Sequence, residues 1–225
     1  MITHRPAASR GILEMERITS RRTFSNNSYQ SNQYLNYSDL EVINDDILQP
    51  GFFVPEHRHA NMEILGYVVD GPCEHADSHG NKYSVPSGTV QFMSTGVGIK
   101  HTEGNASDKP IRYLQLWIKP NQLNTQPKWQ YRAFSREDKL NKFCPIAGNR
   151  GGMPIKQNAQ VYAGIFTEDF THPLSDRKYY VYIVTGSATI NGIEASEGDG
   201  FAIEDETELS ITKPDAEILL FDLRK

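Results

Sequence analysis

Short apolar segments separated by turn residues run along nearly the whole chain. Three of these segments, at 63–69, 89–93 and 113–118, are rich in β-branched and aromatic residues, as β-strands are. Glycine, proline and asparagine cluster between such segments, and no long stretch repeats with the 3.6-residue period of a helix. Only 135–140 has the composition of a single helical turn. The pattern predicts an all-β protein built as a barrel or a sandwich.

A weak internal repeat divides the chain. Residues 64–88 and residues 180–198 each contain an apolar strand that ends in glycine, a hairpin glycine and a third glycine turn. Two copies of one β unit imply two stacked barrels of related topology. The polar stretch between them, rich in glycine and proline, is expected to connect the barrels. We therefore expect three segments: a first barrel at 1–120, a connection at 121–152 and a second barrel at 153–225.

Composition narrows the classes of partner. The 225 residues are 38% hydrophobic and 23% charged, which is enough apolar material for a packed core. Lys and Arg total 23 and Asp and Glu total 28, which gives a net charge of −5. A surface that coats nucleic acid is basic, so no direct nucleic-acid partner is expected.

The expected compartment follows from apolar runs and cysteine usage. No apolar run approaches the roughly 18 residues of a membrane helix, and the first residues lack the apolar stretch of a secretory signal. The two cysteines, Cys73 and Cys144, are far apart, so their number excludes a disulfide framework and a thiolate zinc site. We expect a cytoplasmic protein without a membrane partner.

The candidate chemistry lies in the histidines, five of which fall between positions 57 and 101. His57 and His59 have i, i+2 spacing, which places two side chains on one face of a strand. His101 and Glu103 have the same spacing and offer an imidazole and a carboxylate. One such pair is more often a surface or core feature, but two pairs that need the same strand geometry favour a metal site. Two such strands lining one barrel would supply three nitrogens and one oxygen.

This ligand set has a chemical preference. Imidazole suits zinc, copper, iron and nickel, whereas carboxylate favours harder ions. Without cysteine a closed structural zinc site is not expected. Three histidines and one carboxylate leave octahedral positions open for water, O₂ or a chelating substrate, as in non-haem Fe(II) oxygenases, here with one extra histidine. Manganese, nickel and copper stay open on ligand chemistry alone.

Two other histidines are not predicted as ligands. His75 and His79 lie around the Gly80 turn, where exposure to solvent is expected. Cys73 has no activating partner nearby in the sequence, so we interpret it as a small strand residue and not as a nucleophile.

The motifs resemble a known family. The run G-F-F-V-P-E-H-R-H-A-N-M-E at 51–63 is similar to the first cupin motif, and G-N-K-Y-S-V-P-S-G at 80–88 is similar to the opening of the second. The final histidine then comes 13 positions after Gly88, later than in a typical cupin. The run M-S-T-G-V-G-I-K-H-T-E at 93–103 resembles the pirin signature instead. The resemblance extends from about 21 to 117 and, more loosely, from 180 to 223.

The pirin resemblance implies a bicupin, that is, two double-stranded β-helix (jelly-roll) barrels in one chain. It implies one divalent transition metal in the N-terminal barrel, with Fe(II) expected and Zn, Mn, Ni, Cu or Co as substitutes. The implied ligands are His57, His59, His101 and Glu103. Glu63, a ligand in general cupins, is expected behind the metal ligands or in the pocket wall. The C-terminal barrel lacks these motifs and is expected to be degenerate and metal-free, and the protein is expected to be a monomer.

The resemblance also implies a function. Pirins and bacterial pirin-like proteins are associated with quercetin 2,3-dioxygenase activity, in which O₂ opens the heterocycle of a flavonol and CO is released. The expected partners are a small planar aromatic or enolic substrate and O₂, with Glu103 or Glu63 as the catalytic carboxylate that accepts the substrate proton.

The resemblance leaves two other functions open. One alternative is an iron-responsive regulatory protein that acts through protein partners with little catalysis. Another is a structural bicupin that the metal only stabilises. A pocket large enough for a small organic ligand beside the metal would favour the enzyme.

Overall fold

The computed structural model describes residues 1–225 and divides into two compact units. The N-terminal unit comprises Gly11–Ala133 and Ile155–Gln157, and the C-terminal unit comprises Met1–Arg10, Phe134–Pro154 and Asn158–Lys225. Both units are built almost entirely of β-strands, as the hydrophobic pattern predicts. The structure has no helix with the length and apolar character needed to cross a bilayer.

The chain forms nineteen strands, one short α-helix and a 3₁₀ turn at Ala7–Ser9. In chain order the elements are β1 Ile2–Arg5, β2 Gly11–Met15, β3 Ile18–Arg22, β4 Leu40–Leu48, β5 His57–His59, β6 Glu63–Asp70, β7 Cys73–Asp77, β8 Lys82–Val85, β9 Thr89–Ser94, β10 Ile99–Gly104, β11 Ile111–Ile118, β12 Lys128–Ala133, α1 Arg136–Lys139, β13 Cys144–Gly148, β14 Gln160–Phe166, β15 Phe170–Pro173, β16 Lys178–Ile190, β17 Ile193–Ser196, β18 Gly200–Ile203 and β19 Glu208–Leu223. The three strands and the helical turn expected from sequence are confirmed as β6, β9, β11 and α1.

The N-terminal unit contains two antiparallel sheets. One has seven strands in the order β12-β9-β6-β11-β4-β3-β2, and the other has four in the order β5-β10-β7-β8. Hydrogen bonds from Gln91 on β9 and Tyr113 on β11 reach Glu103 on β10, so the two sheets face each other across a shared interior. One end of this interior is apolar, with Leu48, Val68, Cys73, Val85 and Ile111 packed together. The histidine-bearing strands β5 and β10 belong to the smaller sheet.

The C-terminal unit is one eight-stranded sheet system. Its main path runs β1-β18-β16-β19-β14-β13, with β15 paired to β19 and β17 paired to β16. The long strands β16 and β19 bend at register shifts, which lets each of them pair with several neighbours. The core is apolar and mostly aliphatic, and its buried members include Phe166, Val181, Ile183, Phe201 and Leu220.

The unit boundaries differ from the expected segments 1–120, 121–152 and 153–225. Strand β1 pairs with β18, so the first ten residues belong to the C-terminal unit. Strand β12 pairs with β9 and extends the N-terminal unit to Ala133. The stretch expected to be a connection therefore contains an edge strand, a helix and β13. An edge strand pairs with its sheet through backbone hydrogen bonds on one side, and its side chains can be polar. A hydrophobic pattern therefore does not reveal it.

The helix α1 begins where its sequence indicates. The hydroxyl of Ser135 accepts a hydrogen bond from the backbone N–H of Asp138, and the Asp138 carboxylate accepts one from the backbone N–H of Ser135. These reciprocal bonds satisfy two helix N-terminal donors that would otherwise have no partner.

Candidate metal centre

The strand β5 brings two imidazoles to one face. In H-R-H, His57 and His59 are two residues apart and point to the same side of the strand. Nδ1 of His57 lies 2.9 Å from the carbonyl oxygen of Pro55, which can only accept, so this nitrogen carries the proton. The lone pair of His57 is therefore on Nε2, the nitrogen left free to bind a metal.

A third imidazole joins them from the neighbouring strand. In the antiparallel pairing of β10 with β5, His101 stands opposite His57 and Ile99 stands opposite His59. The ring centroid of His101 lies 4.4 Å from that of His57 and 5.1 Å from that of His59. One nitrogen from each ring lies within 4.8 Å of the others. The structure thus brings the three predicted histidines together.

Glycines of the signature segment shape the approach of these strands. Gly96 has φ +45°, and a Cβ there would lie 1.9 Å from the carbonyl oxygen of Thr125. Gly98 has φ +141°, and a Cβ there would lie 2.2 Å from the guanidinium of Arg58. That guanidinium donates to the carbonyl oxygen of Val97 and ties the middle of β5 to the loop before β10. The two glycines therefore hold the loop close to the histidine pair.

Glu103 lies beside His101 but is held mainly by two other side chains. Its Oε1 is 3.9 Å from Nδ1 of His101 and accepts a 2.8 Å hydrogen bond from Gln91. Its Oε2 accepts a 3.1 Å hydrogen bond from the hydroxyl of Tyr113. Burial raises the pKa of Tyr113 well above its usual range, so the phenol stays a donor. The carboxylate is therefore buried and oriented by hydrogen bonds within the protein.

His75 also belongs to this cluster, which corrects the expectation that it is exposed. It lies on β7, where Glu103 is its cross-strand partner, and only 2% of the residue is exposed. His75, His101 and Glu103 form a second group whose ligand atoms lie within 4.8 Å of one another. Nε2 of His75 is hydrogen-bonded to Asp77 at 3.2 Å. The other turn histidine, His79, is exposed as expected.

The structure therefore contains two overlapping groups that share His101. One group is His57, His59 and His101, and the other is His75, His101 and Glu103. The four ligands implied by the resemblance are distributed over both groups, and the atoms of the four do not form a single group.

The electrostatics of the cluster fit a cation. Burial, followed by repulsion from His101 and His57, lowers the pKa of His59 to about 4. Burial, followed by repulsion from His57 and His75, lowers the pKa of His101 to about 3. Both rings are thus neutral near pH 7, the form that coordinates metals. Nε2 of His59 and both nitrogens of His101 are buried without a hydrogen-bond partner, which is costly unless a ligand such as a metal satisfies them.

Glu63 is not part of this cluster. It stands opposite Ser94 in the pairing of β6 with β9, so these two side chains share a face of the sheet. Ser94 is three residues from Gln91 on β9, so Glu63 and Gln91 point to opposite faces. Its carboxylate accepts hydrogen bonds from the Ser94 hydroxyl at 2.7 Å and from the backbone N–H of Lys156 at 3.0 Å. Burial raises the pKa of Glu63 above its usual value, and these two hydrogen bonds oppose the rise. Both expected positions, behind the metal ligands or in the pocket wall, are therefore corrected to a place on the other face of the sheet.

A cavity opens beside the histidines. Its volume is about 620 Å³, and the histidines that line it are His57 and His59. The indole of Trp117 lines it too and meets the His59 ring edge to face, with centroids 4.7 Å apart. The remaining wall comes mainly from β2, β3, β4 and the segment before β5, with Leu13, Ile18, Arg22, Asn44, Asp46, Phe52 and Val54 among its residues.

Two barrel-like β units in one chain, with histidines lining a cavity in the first, define a bicupin with a candidate metal centre. Comparison with known proteins makes this specific. The family model described as pirin matches residues 4–118, and the model described as the quercetinase C-terminal cupin domain matches residues 145–223. The chain belongs to the pirin family.

Relatives match over the whole chain. The quercetin 2,3-dioxygenase of Escherichia coli strain K12 is 37% identical, and the alignment covers 99% of each protein. A pirin-like protein from Caulobacter vibrioides is 34% identical with 99% of each protein covered. The crystal structure of the bacterial pirin YhhW from Escherichia coli in complex with nickel(II) has a TM-score of 0.93 and 36% identity, covering 100% of this chain and 99% of that one.

Several residues around the cluster were missed at the sequence level. A signal for His75 exists, because Cys73 and His75 have the same i, i+2 spacing as the two pairs that were recognised. No such signal exists for Gln91 and Tyr113. They lie in other strands and meet Glu103 only through the tertiary fold.

Proposed function

We propose that this protein is a metal-dependent dioxygenase of pirin type that opens the heterocycle of quercetin-like flavonols with O₂ and releases CO. The observation that carries the proposal is the cavity of about 620 Å³ lined by His57 and His59. Its volume lies in the range of about 300–1,000 Å³ that small-molecule sites occupy, so a flat organic ligand fits beside the imidazoles. A purely structural metal would need no such cavity.

The proposed ligands are His57, His59, His101 and Glu103. Two ligand atoms that each lie about 2.0–2.2 Å from one ion cannot be further apart than about 4.4 Å. The 3.9 Å between Glu103 Oε1 and His101 Nδ1 meets this limit for that pair. The four ligand atoms together do not lie within 4.8 Å of one another, so the proposal requires the side chains to move inward when the ion binds. The unpartnered nitrogens of His59 and His101 support the same assignment.

The proposed metal is Fe(II), because three imidazoles and one carboxylate suit this ion and leave positions open for substrate and O₂. Nickel(II) is a supported substitute, since a relative has been crystallised with it. When bound, the metal supplies Lewis-acid activation of the flavonol hydroxyl and a site at which O₂ can react.

Residues of the chain itself, one of them through its backbone carbonyl, have three roles in this proposal. Glu103 accepts the proton of the substrate hydroxyl once its carboxylate loosens from the metal, while the hydrogen bonds from Gln91 and Tyr113 keep the side chain in place. Pro55 fixes the tautomer and the ring orientation of His57. Trp117 offers an aromatic surface beside His59, against which a flat ligand can pack while water is excluded. Because Glu63 is bonded to Ser94 and Lys156, it has no catalytic role in this proposal.

The test is O₂-dependent loss of quercetin absorbance, together with CO release, by protein reconstituted with Fe(II) without air. His101→Ala is the inactive control, and His79→Ala, which changes an exposed histidine in the turn between β7 and β8, is the matched control. Turnover is expected for the unmodified protein and for His79→Ala, with none for His101→Ala.

A different result would overturn the proposal. If the unmodified protein binds one equivalent of metal and leaves quercetin intact, the dioxygenase assignment is wrong. The regulatory alternative would then be tested by comparing the binding of protein partners to the Fe(II) and Fe(III) forms.

A further inference from the structure

One wall of the histidine-lined cavity is polar where a barrel interior is normally apolar. Arg22 on β3 stands opposite Asn44 on β4, and Asn44 stands opposite Gln115 on β11. One step along, Asp46 on β4 stands opposite Tyr113 on β11. Residues two apart on a strand share a face, so these side chains form two adjacent rows on one face of the seven-stranded sheet. Arg22, Asn44, Asp46 and Gln115 all line the cavity.

Several polar atoms in this wall have no partner within the protein. They are Nε of Arg22, Oδ1 of Asn44 and Oδ1 of Asp46, together with Nδ2 of Asn26, which lines the same cavity. The exposed fractions of Arg22, Asn44 and Asp46 are 5%, 6% and 2%. A buried polar atom without a hydrogen bond destabilises a fold, so these four atoms need polar partners, which water supplies in the open cavity and a polar ligand can replace. We call Arg22, Asn26, Asn44 and Asp46 the polar wall.

We propose that the polar wall binds the ring hydroxyl groups that lie away from the chelating end of the substrate, and so selects polyhydroxylated over unsubstituted flavonols. This inference rests on the proposed function and names the part of the substrate that the same cavity recognises. The metal ligands hold one end of the molecule, and the polar wall identifies the other.

The chemistry of the unpartnered atoms selects hydroxyl groups among polar ligands. Arg22 and Asn26 present N–H donors, and Asn44 presents an oxygen acceptor. Asp46, whose pKa burial raises to about 7, accepts as a carboxylate and donates when protonated. A phenolic hydroxyl both donates and accepts, so a ring with several hydroxyls can pair with donors and acceptors in turn. A carboxylate or phosphate only accepts and would leave the Asn44 oxygen facing another oxygen. An unsubstituted ring would leave all four atoms unpaired, which is how a site built for hydroxyls rejects a ligand without them.

The test measures binding, which does not depend on turnover. Quercetin and 3-hydroxyflavone share the chelating hydroxyl and carbonyl, and only quercetin has further hydroxyls. Dissociation constants for Ni(II)-loaded protein are measured without O₂ from the shift in flavonol absorbance. The unmodified protein is expected to bind quercetin about tenfold or more tightly than 3-hydroxyflavone, the effect of one or more satisfied buried hydrogen bonds.

Asn44→Leu is the decisive variant because leucine has nearly the shape of asparagine and no polar atom. It is expected to weaken quercetin binding about tenfold and to leave 3-hydroxyflavone binding unchanged or tighter. Asp46→Leu is a second variant with the same expectation, should the first fold poorly. Metal content and melting temperature verify the fold of each. Lys82→Ala is the matched control, since Lys82 lines a separate cavity of about 290 Å³, and it should keep the preference.

The outcomes separate this proposal from the proposed function. If the Fe(II) protein turns flavonols over but Asn44→Leu still prefers quercetin to 3-hydroxyflavone, the polar-wall proposal is wrong and the dioxygenase proposal stands. Hydroxyl-dependent binding that Asn44→Leu abolishes, without turnover in air by the Fe(II) protein, supports the polar wall and overturns the dioxygenase. Equal binding of both flavonols by the unmodified protein, or binding of neither, overturns the polar wall.

Discussion

The hydroxyl of Tyr113 donates a hydrogen bond to Oε2 of Glu103 across the interior of the N-terminal unit, with 3.1 Å between the oxygens. The amide of Gln115 donates to the same hydroxyl at 2.8 Å and to Oδ2 of Asp46 at 3.0 Å. Trp117 donates to the Gln115 amide oxygen at 3.3 Å. A chain of hydrogen bonds therefore runs from the cavity wall to the carboxylate beside His101. Such supporting bonds orient metal ligands and affect metal affinity.

Replacing Tyr113 by phenylalanine should weaken metal binding without abolishing it. The variant keeps the buried ring and loses one of the two side-chain donors to Glu103, so the carboxylate is less well oriented. Loss of such a partner typically costs about 10–100-fold in affinity. The measurement is a competition titration of Ni(II) against a chelator. Tyr131→Phe, which changes a half-exposed tyrosine on β12, is the control and should bind as the unmodified protein does. Equal affinity in Tyr113→Phe would show that Tyr113 does not orient a ligand.

His75 distinguishes the two overlapping ligand groups. If His57, His59, His101 and Glu103 hold the ion, His75→Ala should still bind one equivalent of metal, because His75 only supports the cluster through Asp77 and Trp129. His57→Ala should fall well below one equivalent under the same conditions. Elemental analysis after gel filtration measures both.

The reverse pattern would assign the metal to the other ligand group. Loss of metal in His75→Ala with full retention in His57→Ala would place the ion between His75, His101 and Glu103. The orientation of His75 is fixed by Asp77, so His75→Gln serves as a second variant that keeps a polar side chain against Asp77.

How far the sequence predicts this centre depends on where each partner lies. His57 and His59 share one strand, and His101 and Glu103 share another, so periodicity alone places each pair on one face. The meeting of the two strands requires the β5–β10 pairing, which the signature glycines only suggest. His75 was missed because a nearby glycine turn indicates exposure, whereas β7 continues far enough to bury it.

The strands of the fold also differ in how well the sequence predicts them. Apolar strands such as β6 and β11 are evident from their residues, because both faces are buried. The edge strands β1 and β12 are short or polar, and their membership of one unit or the other depends on backbone pairing. Glu63 illustrates a third limit, since a shift of one position reverses the face of a strand residue and a motif does not encode that register.

Glu63 should prove to be structural. Its buried carboxylate accepts hydrogen bonds from Ser94 and from the backbone of Lys156, so Glu63→Ala leaves two donors unpaired. Buried donors without partners cost about 1–3 kcal/mol each, so the free energy of unfolding should fall by about 2–6 kcal/mol. Metal stoichiometry should not change, because the side chain points away from Gln91 and Glu103. Glu56→Ala, at an exposed glutamate next to His57, is the matched control for stability. A stable Glu63→Ala protein that loses its metal would contradict this assignment.

Asp46 should make the stability of the metal-free protein depend on pH. Burial is the main cause that raises its pKa from 3.8 to about 7, and repulsion from Asp45 and Glu103 adds to it. The unfolded chain releases this proton near pH 3.9, so between about pH 4 and pH 7 the folded state holds one proton more. The folded state is therefore favoured at the acid end, and this contribution is lost as the pH rises through about 7.

The replacement Asp46→Asn isolates this effect because asparagine does not titrate. One proton changes the free energy of unfolding by about 1.4 kcal/mol per pH unit, so the unmodified protein should lose about 2 kcal/mol or more relative to Asp46→Asn between pH 5 and pH 7. Urea unfolding at several pH values, with a chelator present throughout, measures the difference. Parallel curves for the two proteins would show that Asp46 titrates in the folded state as it does in the unfolded chain. A difference that grows in the opposite direction would mean that the folded protein stabilises the Asp46 carboxylate, which its burial beside Asp45 opposes.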